Sequence, residues 1–256
     1  MSLFHRISMN VLGIDIGGSA VKGAPVDTVT GRLLAERFRV PTDKVLTPAQ
    51  MARTIAGIAK HFSWNGAVGV GFPGVIRKAT ILTSANLHRA FIGCDGGKLF
   101  GKALKLPVSL INDADAAGLA EVRFGAGKKA AGTVLMLTFG TGVGSALFVD
   151  GRLYPNSELG HLPMKGRDAE KRVSAAAKER KKLSFRKWAH RVNDYLRVVE
   201  AILNPDRIIV GGGISKDFEE WFKYLDTTTP IVPAKFFNEA GIVGAALHAA
   251  DRQDRR

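Results

Sequence analysis

Three glycine-rich turns and a few acids carry the chemical content of this 256-residue chain. Asp15-Ile16-Gly17-Gly18-Ser19 sets a carboxylate at the end of an apolar run, beside a turn almost without side chains. Bare backbone lets N–H groups approach phosphate oxygens, and the carboxylate can hold Mg²⁺ directly or through water. Thr138 to Gly144 repeats the device, with the Thr141 hydroxyl among three glycines, and Gly211-Gly212-Gly213 ends a third apolar run. One Gly-Gly turn reads equally well as a tight hairpin. Three such turns after apolar strands point to phosphate binding.

Two further groups supply the remaining chemistry. Asn112-Asp113 stands where a strand gives way to a helix, so Asp113 is either a helix N-cap or a general base that takes a hydroxyl proton. The second role belongs to phosphoryl transfer, where the rest of catalysis is positioning and charge. Glu158-Leu159-Gly160-His161 places an acceptor and an imidazole close together on one loop. The pair suits adjacent hydroxyls of a polyol, and it suits an ordinary solvated surface as well.

The elements that hold these residues follow from periodicity. Val11 to Ile16, Ala20 to Val26 and Arg32 to Val40 read as three successive strands. Thr47-Pro48-Ala49-Gln50 is a cap, a proline at the first helical position and a capping-box glutamine, followed by Met51, Ile55, Ile58 and Phe62 at helical spacing. Ala67 to Phe72 and Pro107 to Ile111 are short apolar strands, and Asp113 to Phe124 is helical. Thr133 to Phe139, Ser145 to Val149 and Arg152 to Tyr154 then repeat the opening, so the chain reads as a duplicated strand-strand-strand-helix unit. After Pro163 the pattern becomes helical, a strand runs from Asp206 into the glycine triplet, a helix lies near Asp217 to Leu225, and small residues dominate a last helix over 239–250.

Composition narrows the class. A chain with 46% hydrophobic and 23% charged residues is that of a globular protein with a real core. A single cysteine, Cys94, rules out an internal disulfide framework and a cysteine-based zinc cluster. No apolar run is long enough to span a bilayer, and the first ten residues lack the core of a signal peptide, so a cytoplasmic location with no membrane partner is expected. Lys and Arg outnumber Asp and Glu by 37 to 23, and +8 of the net +14 falls between Lys165 and Arg197. Such a surface attracts polyanions in a salt-sensitive way, unless it is merely a solvated helix face.

Taken in order, Asp15 to Ser19, Phe72-Pro73-Gly74, Asn112 to Gly118, Thr138 to Gly144 and Glu158 to His161 resemble the ROK sugar kinases of the actin/hexokinase/Hsp70 superfamily. The stretches Leu137 to Gly142, Gly211 to Ser215 and Ala240 to Ala246 look like the polyphosphate glucokinase branch, and the likeness runs from about Val11 to Ala250. It implies an α/β chain of duplicated, ribonuclease H-like lobes around a cleft: a small lobe over 1–111 joined by the helix 239–256, and a large lobe over 112–238. It also implies transfer of a phosphoryl group from polyphosphate, and from ATP, to the 6-hydroxyl of glucose or mannose. Asp113 would be the base, with Asn86, Asn112, Glu158, His161 and Glu170 on the other hydroxyls. Asp15 would position Mg²⁺ through water, and Gly17, Gly18, Ser19, Lys22, Thr141, Gly142, Gly212 and Gly213 would bind the donor. Lys22 also reads as a plain strand lysine.

The cysteine-rich zinc motif that follows Glu-x-Gly-His in most of the family is missing, so no zinc is expected at His161. The resemblance implies a homodimer. A strictly ATP-dependent kinase and a non-catalytic sugar sensor are the alternatives. Nucleic-acid binding is not expected, because only about ten residues precede the first strand and leave no room for a helix-turn-helix domain.

Overall fold

Mostly apolar residues form β1 (Asn10–Ile16) and β2 (Ala20–Asp27), which pair antiparallel from Asn10↔Asp27 to Ile16↔Val21 in the computed structural model. The structure describes residues 9–42, 45–84 and 87–253. The strand expected over Arg32 to Val40 is two strands, β3 (Arg32–Leu33) and β4 (Phe38–Pro41), both on β2. The register slips by two residues between Val26↔Leu33 and Gly23↔Phe38, so the surplus residues bulge outward and Leu34 is exposed.

Helix α1 (Pro48–His61) begins with the expected reciprocal cap. The Thr47 N–H donates to Gln50 Oε1 at 2.9 Å and the Gln50 N–H to Thr47 Oγ1 at 3.4 Å. The helix buries Met51, Ile55 and Ile58 in the same core as β1 and β5 (Val68–Phe72). A small hairpin of β6 (Ile76–Arg77) and β7 (Thr80–Ile81), helix α2 (Gly96–Leu104), β8 (Val108–Asn112) and α3 (Asp113–Phe124) follow. The sheet runs β3-β2-β1-β5-β8, antiparallel across its first three strands and parallel from β1 onward.

The second sheet repeats that plan. Strands β9 (Thr133–Phe139), β10 (Val143–Val149) and β11 (Arg152–Tyr154) form an antiparallel meander. Its second turn, Asp150-Gly151, has φ of 49° and 75°, the mirror-image turn that suits twisted hairpins. The helical stretch expected from Pro163 instead opens with a hairpin, β12 (Pro163–Met164) and β13 (Arg167–Asp168), because Lys165 and Gly166 adopt φ of 51° and 76°.

Helices α4 (Glu170–Val173), α5 (Ala175–Arg180) and α6 (Phe185–Leu203) come next, then β14 (Arg207–Gly211), α7 (Phe218–Trp221) and β15 (Ile231–Pro233). The helix expected near Asp217 to Leu225 is only α7 between two 3₁₀ turns. The order β11-β10-β9-β14-β15 matches the path β3-β2-β1-β5-β8 of the first sheet, which has β4 as an additional strand on β2. Phe139 meets the rings of Trp188 and Trp221 edge-on at 5.7 and 6.2 Å, contacts worth about 0.5–1.5 kcal/mol each beyond their burial.

Helix α8 (Ala240–Gln253) returns to the first sheet. Its small residues let backbone meet backbone: a methyl at Gly13 or Gly69 would overlap the carbonyls of Ile242 and Ala245. The chain divides into two units, one ending at Ala120 and resuming at Glu239, the other Glu121–Asn238. That division falls inside α3 and not at the expected 111/112 junction, because Asn112 and the first turns of α3 pack on β5 and α8. Among the described residues no helix is long and apolar enough to cross a membrane.

Candidate active site

In the first unit the parallel register aligns strand ends. Asp15 on β1 pairs with Gly71 on β5, Gly71 pairs with Ile111 on β8, and Asp113 begins α3 two residues later. A Cβ on Gly71 would lie 3.7 Å from the Asp113 Cα, so β5 carries no side chain at the position between the two acids. Ligands of open α/β sheets bind beyond such carboxyl ends.

The Asp15 side chain is only 18% exposed, and its burial pushes the carboxyl up from the usual 3.8, while Lys22 pulls it back down. The Lys22 Nζ stands 3.8 Å from Asp15 Oδ2, directly across the β1–β2 register. Lys22 is therefore the partner of Asp15 and not a solvated strand lysine. A Cβ at Gly241 of α8 would lie 2.8 Å from Asp15 Cγ, so that glycine makes room for the carboxylate. The Gly17 N–H donates to Ala20 O at 3.0 Å and closes the turn, and over Gly18 there is open space.

Asn112 is buried, and its amide is engaged at both ends. Its Oδ1 accepts the Asp115 N–H at 3.0 Å and its Nδ2 donates to Gly74 O at 3.2 Å. It thus caps α3 and pins the Pro73-Gly74 turn. Asp113 Oδ1 accepts the Ala114 N–H at 2.8 Å and the group remains half-buried. Asn86 lies outside the described residues.

In the second unit the Gly140 to Gly142 turn is held on both sides. The Gly140 N–H donates to Gly142 O at 3.0 Å and the Ala176 N–H to Gly140 O at 3.1 Å. The space beside Gly142 belongs to the Glu170 carboxylate, which accepts the Val143 N–H at 3.4 Å and pairs with Lys171 at 3.0 Å. A cavity of about 380 Å³ is lined by Thr141, Gly140, Ala176, Lys178, Phe185 and Gly213, among others. Gly212 has φ of 84° and rests on the Phe139 backbone, where no side chain fits. Thr141 and Gly213 thus share one cavity, which Gly212 does not line.

The polyol loop is fixed by a serine that carries no motif signal. Ser145 Oγ donates to Ser157 O at 2.6 Å and accepts the Leu159 N–H at 3.0 Å. Glu158 and His161 Nε2 are thereby 3.8 Å apart. Burial pushes the Glu158 carboxyl up, His161 pulls it down, and the neighbouring Glu170 pushes it up again. Glu158, His161 and Glu170 are thus brought together. Sequence reasoning missed Asp168, whose Oδ2 lies 3.0 Å from His161 Nδ1, and it missed Ser145 and Gly241. His161, Asp168 and Glu170 offer ligand atoms within 4.8 Å of one another.

Two sheets of the same order, each with a glycine turn after its first strand, define a duplicated α/β chain of the actin/hexokinase type. The ROK family model matches residues 11–175, and the chain belongs to the ROK family. It is 45% identical to the polyphosphate glucokinase of Mycobacterium tuberculosis over 236 residues, 92% of this chain and 89% of the relative. Among solved structures it is similar to the inorganic polyphosphate/ATP-glucomannokinase from Arthrobacter sp. strain KM, with a TM-score of 0.92, 46% identity and coverage of 95% and 99% of the two chains. A ROK family glucokinase from Streptomyces griseus in complex with glucose and AMPPNP shares the fold, with a TM-score of 0.81 at 23% identity over 96% of this chain and all of that one.

Proposed function

We propose that the protein transfers a phosphoryl group from polyphosphate or ATP to the 6-hydroxyl of glucose, or of mannose, and releases the sugar 6-phosphate. The observation that carries this reading is the pair of acids, Asp15 and Asp113, flanking Gly71 near the carboxyl end of β5. The 45% identity to a polyphosphate glucokinase supports the substrate and donor classes.

Asp113 accepts the 6-hydroxyl proton as the hydroxyl oxygen forms its bond to phosphorus. The bridging P–O bond of the donor breaks, leaving ADP or a polyphosphate one unit shorter. Glu158, His161, Glu170, Asn86 and Asn112 hold the remaining hydroxyls. Gly17, Gly18, Ser19, Lys22, Thr141 and Gly142 bind the phosphates, and Gly213 borders the nucleoside cavity.

A single buried carboxylate whose near cation is Lys22 fits a Mg²⁺ held through water better than a direct protein cage. That ion would neutralise charge on the transferring phosphate. No zinc is assigned, and the working unit is a homodimer without nucleic-acid or membrane partners, in the cytoplasm.

Two observations bear on the donor. The cavity beside Thr141 and Gly213 favours ATP. A cationic cluster favours polyphosphate: Arg191, Arg167, Arg172 and Arg180 all press on Lys181 and lower its pKa, together with its own desolvation. Arg172 Nε and Arg191 Nη1 are buried without a hydrogen-bond partner. Glucose, Mg²⁺ and either donor are incubated with the wild type and Asp113→Ala. Product from wild type that falls at least about 10²-fold in the variant is expected. No product from either donor with glucose or mannose overturns the reading.

A further inference from the structure

The hairpin that sequence periodicity misses has a consequence for His161. Its two-residue turn, Lys165-Gly166, folds the chain straight back, so that Pro163 pairs with Asp168 and Met164 with Arg167. The Ala169 N–H donates to Leu162 O at 2.9 Å and carries the pairing one step further toward His161. Asp168 thereby stands beside the imidazole, with Oδ2 at 3.0 Å from Nδ1. The other ring nitrogen, Nε2, faces Glu158 at 3.8 Å. The ring and both carboxylates are partly open to solvent, so a ligand can reach them.

We propose that Asp168 is a positioning residue that accepts the Nδ1 proton of His161 and so leaves the Nε2 lone pair as the acceptor for a substrate hydroxyl. Which nitrogen of a neutral imidazole carries the proton is decided by the partner of the other nitrogen. The Asp168 carboxylate is an acceptor at hydrogen-bond distance, so Nδ1 donates to it, whereas Glu158 at 3.8 Å is too far to take a proton from Nε2 in a hydrogen bond. Nε2 then reads a hydroxyl by accepting, and Glu158 beside it is also an acceptor. Adjacent hydroxyls each need an acceptor for their proton, and the two groups meet that demand side by side. The acids facing the ring are Asp168 from β13, Glu158 from the preceding loop and Glu170 from α4. The inference rests on the polyol reading of His161 for its purpose, while the tautomer itself stands on the hairpin geometry.

The test compares Asp168→Ala with Asp168→Asn in the full chain. The side-chain oxygen of Asn still accepts the Nδ1 proton, whereas Ala cannot. Asp168→Ala is expected to raise the glucose KM about tenfold with little change in the ATP KM, and Asp168→Asn to restore most of the loss. The second readout needs no substrate: ¹⁵N spectra of labelled histidine, with His161 assigned by its loss in His161→Gln, report which nitrogen is protonated. The wild type and Asp168→Asn are expected to show the Nδ1–H form, and Asp168→Ala a shift toward Nε2–H. An Nε2–H pattern or a doubly protonated ring in the wild type, or an unchanged pattern in Asp168→Ala, overturns the proposal. A wild-type protein that shows Nδ1–H yet binds no sugar would refute the polyol reading and leave the positioning intact. The three neighbouring groups could instead hold a cation, so a His161 signal that moves on adding one equivalent of Zn²⁺, with a glucose KM that follows the metal, also overturns it.

Discussion

Gly241→Ala separates the role of Asp15 from the stability of the fold. The added methyl would stand 2.8 Å from Asp15 Cγ and 2.9 Å from Oδ1, whereas carbon contacts settle at about 3.5–4.0 Å. Helix α8 packs backbone to backbone on β1 at Gly13, and withdrawing it would open that contact, so the carboxylate is the part that gives way, by roughly 0.7 Å. Alanine gains about 1 kcal/mol over glycine inside a helix, and overpacking costs about 1–3 kcal/mol, so the net change in stability is at most about 2 kcal/mol. Displacement of a positioning group by an ångström costs about 10²-fold in rate. We therefore expect kcat/KM to fall about 10- to 100-fold, most severely at low Mg²⁺, while the melting temperature moves by a few degrees. Gly57→Ala in α1 is the control, because open space surrounds it and only the helix gain applies. A Gly241→Ala enzyme within twofold of wild type at every Mg²⁺ concentration would refute the argument that the site of Asp15 governs the reaction.

Three other outcomes are expected. Glu121 is fully buried and its carboxylate accepts the N–H groups of Ala126 at 2.8 Å and of Lys235 and Phe236 at 2.7 Å each. Glu121→Ala strands three amides and should cost about 3 kcal/mol even if water recovers part of the loss, read by urea unfolding through the fluorescence of Trp188 and Trp221; a loss below about 1 kcal/mol contradicts it. Burial holds the Glu158 carboxyl above its usual 4.5, and only the ionised form accepts two hydroxyl protons. Glucose KM should therefore rise as the pH falls through a value above 4.5, and that limb should vanish in Glu158→Gln, which is measured as KM against pH. Paired Arg180→Glu and Lys181→Glu should raise the KM for long-chain polyphosphate about tenfold in low salt, flatten its salt dependence and leave the ATP KM unchanged; an unaltered polyphosphate KM assigns the cluster no part in donor capture.

Most strands of the two sheets were legible because each repeats a pattern that depends only on its own residues, whereas the three-residue edge strand β15 is too short to carry one. The capping box at Thr47 and Gln50 and the Asp150-Gly151 turn were legible for the same reason. What escaped is structure that a second segment decides. The break between β3 and β4 arises from register on β2, and the hairpin of β12 and β13 is too short to carry a period and is masked by a basic run. The site divides along the same line. Asp15, Asp113, Thr141, Glu158 and His161 carry groups that phosphate or hydroxyl chemistry demands, and their types announce them. Ser145, Asp168 and Gly241 act by holding a loop, aiming a ring and vacating a volume. A serine, an aspartate and a glycine have those effects only against a particular neighbour. Substitution at such positions should therefore alter KM, pH response or metal dependence more readily than it abolishes turnover.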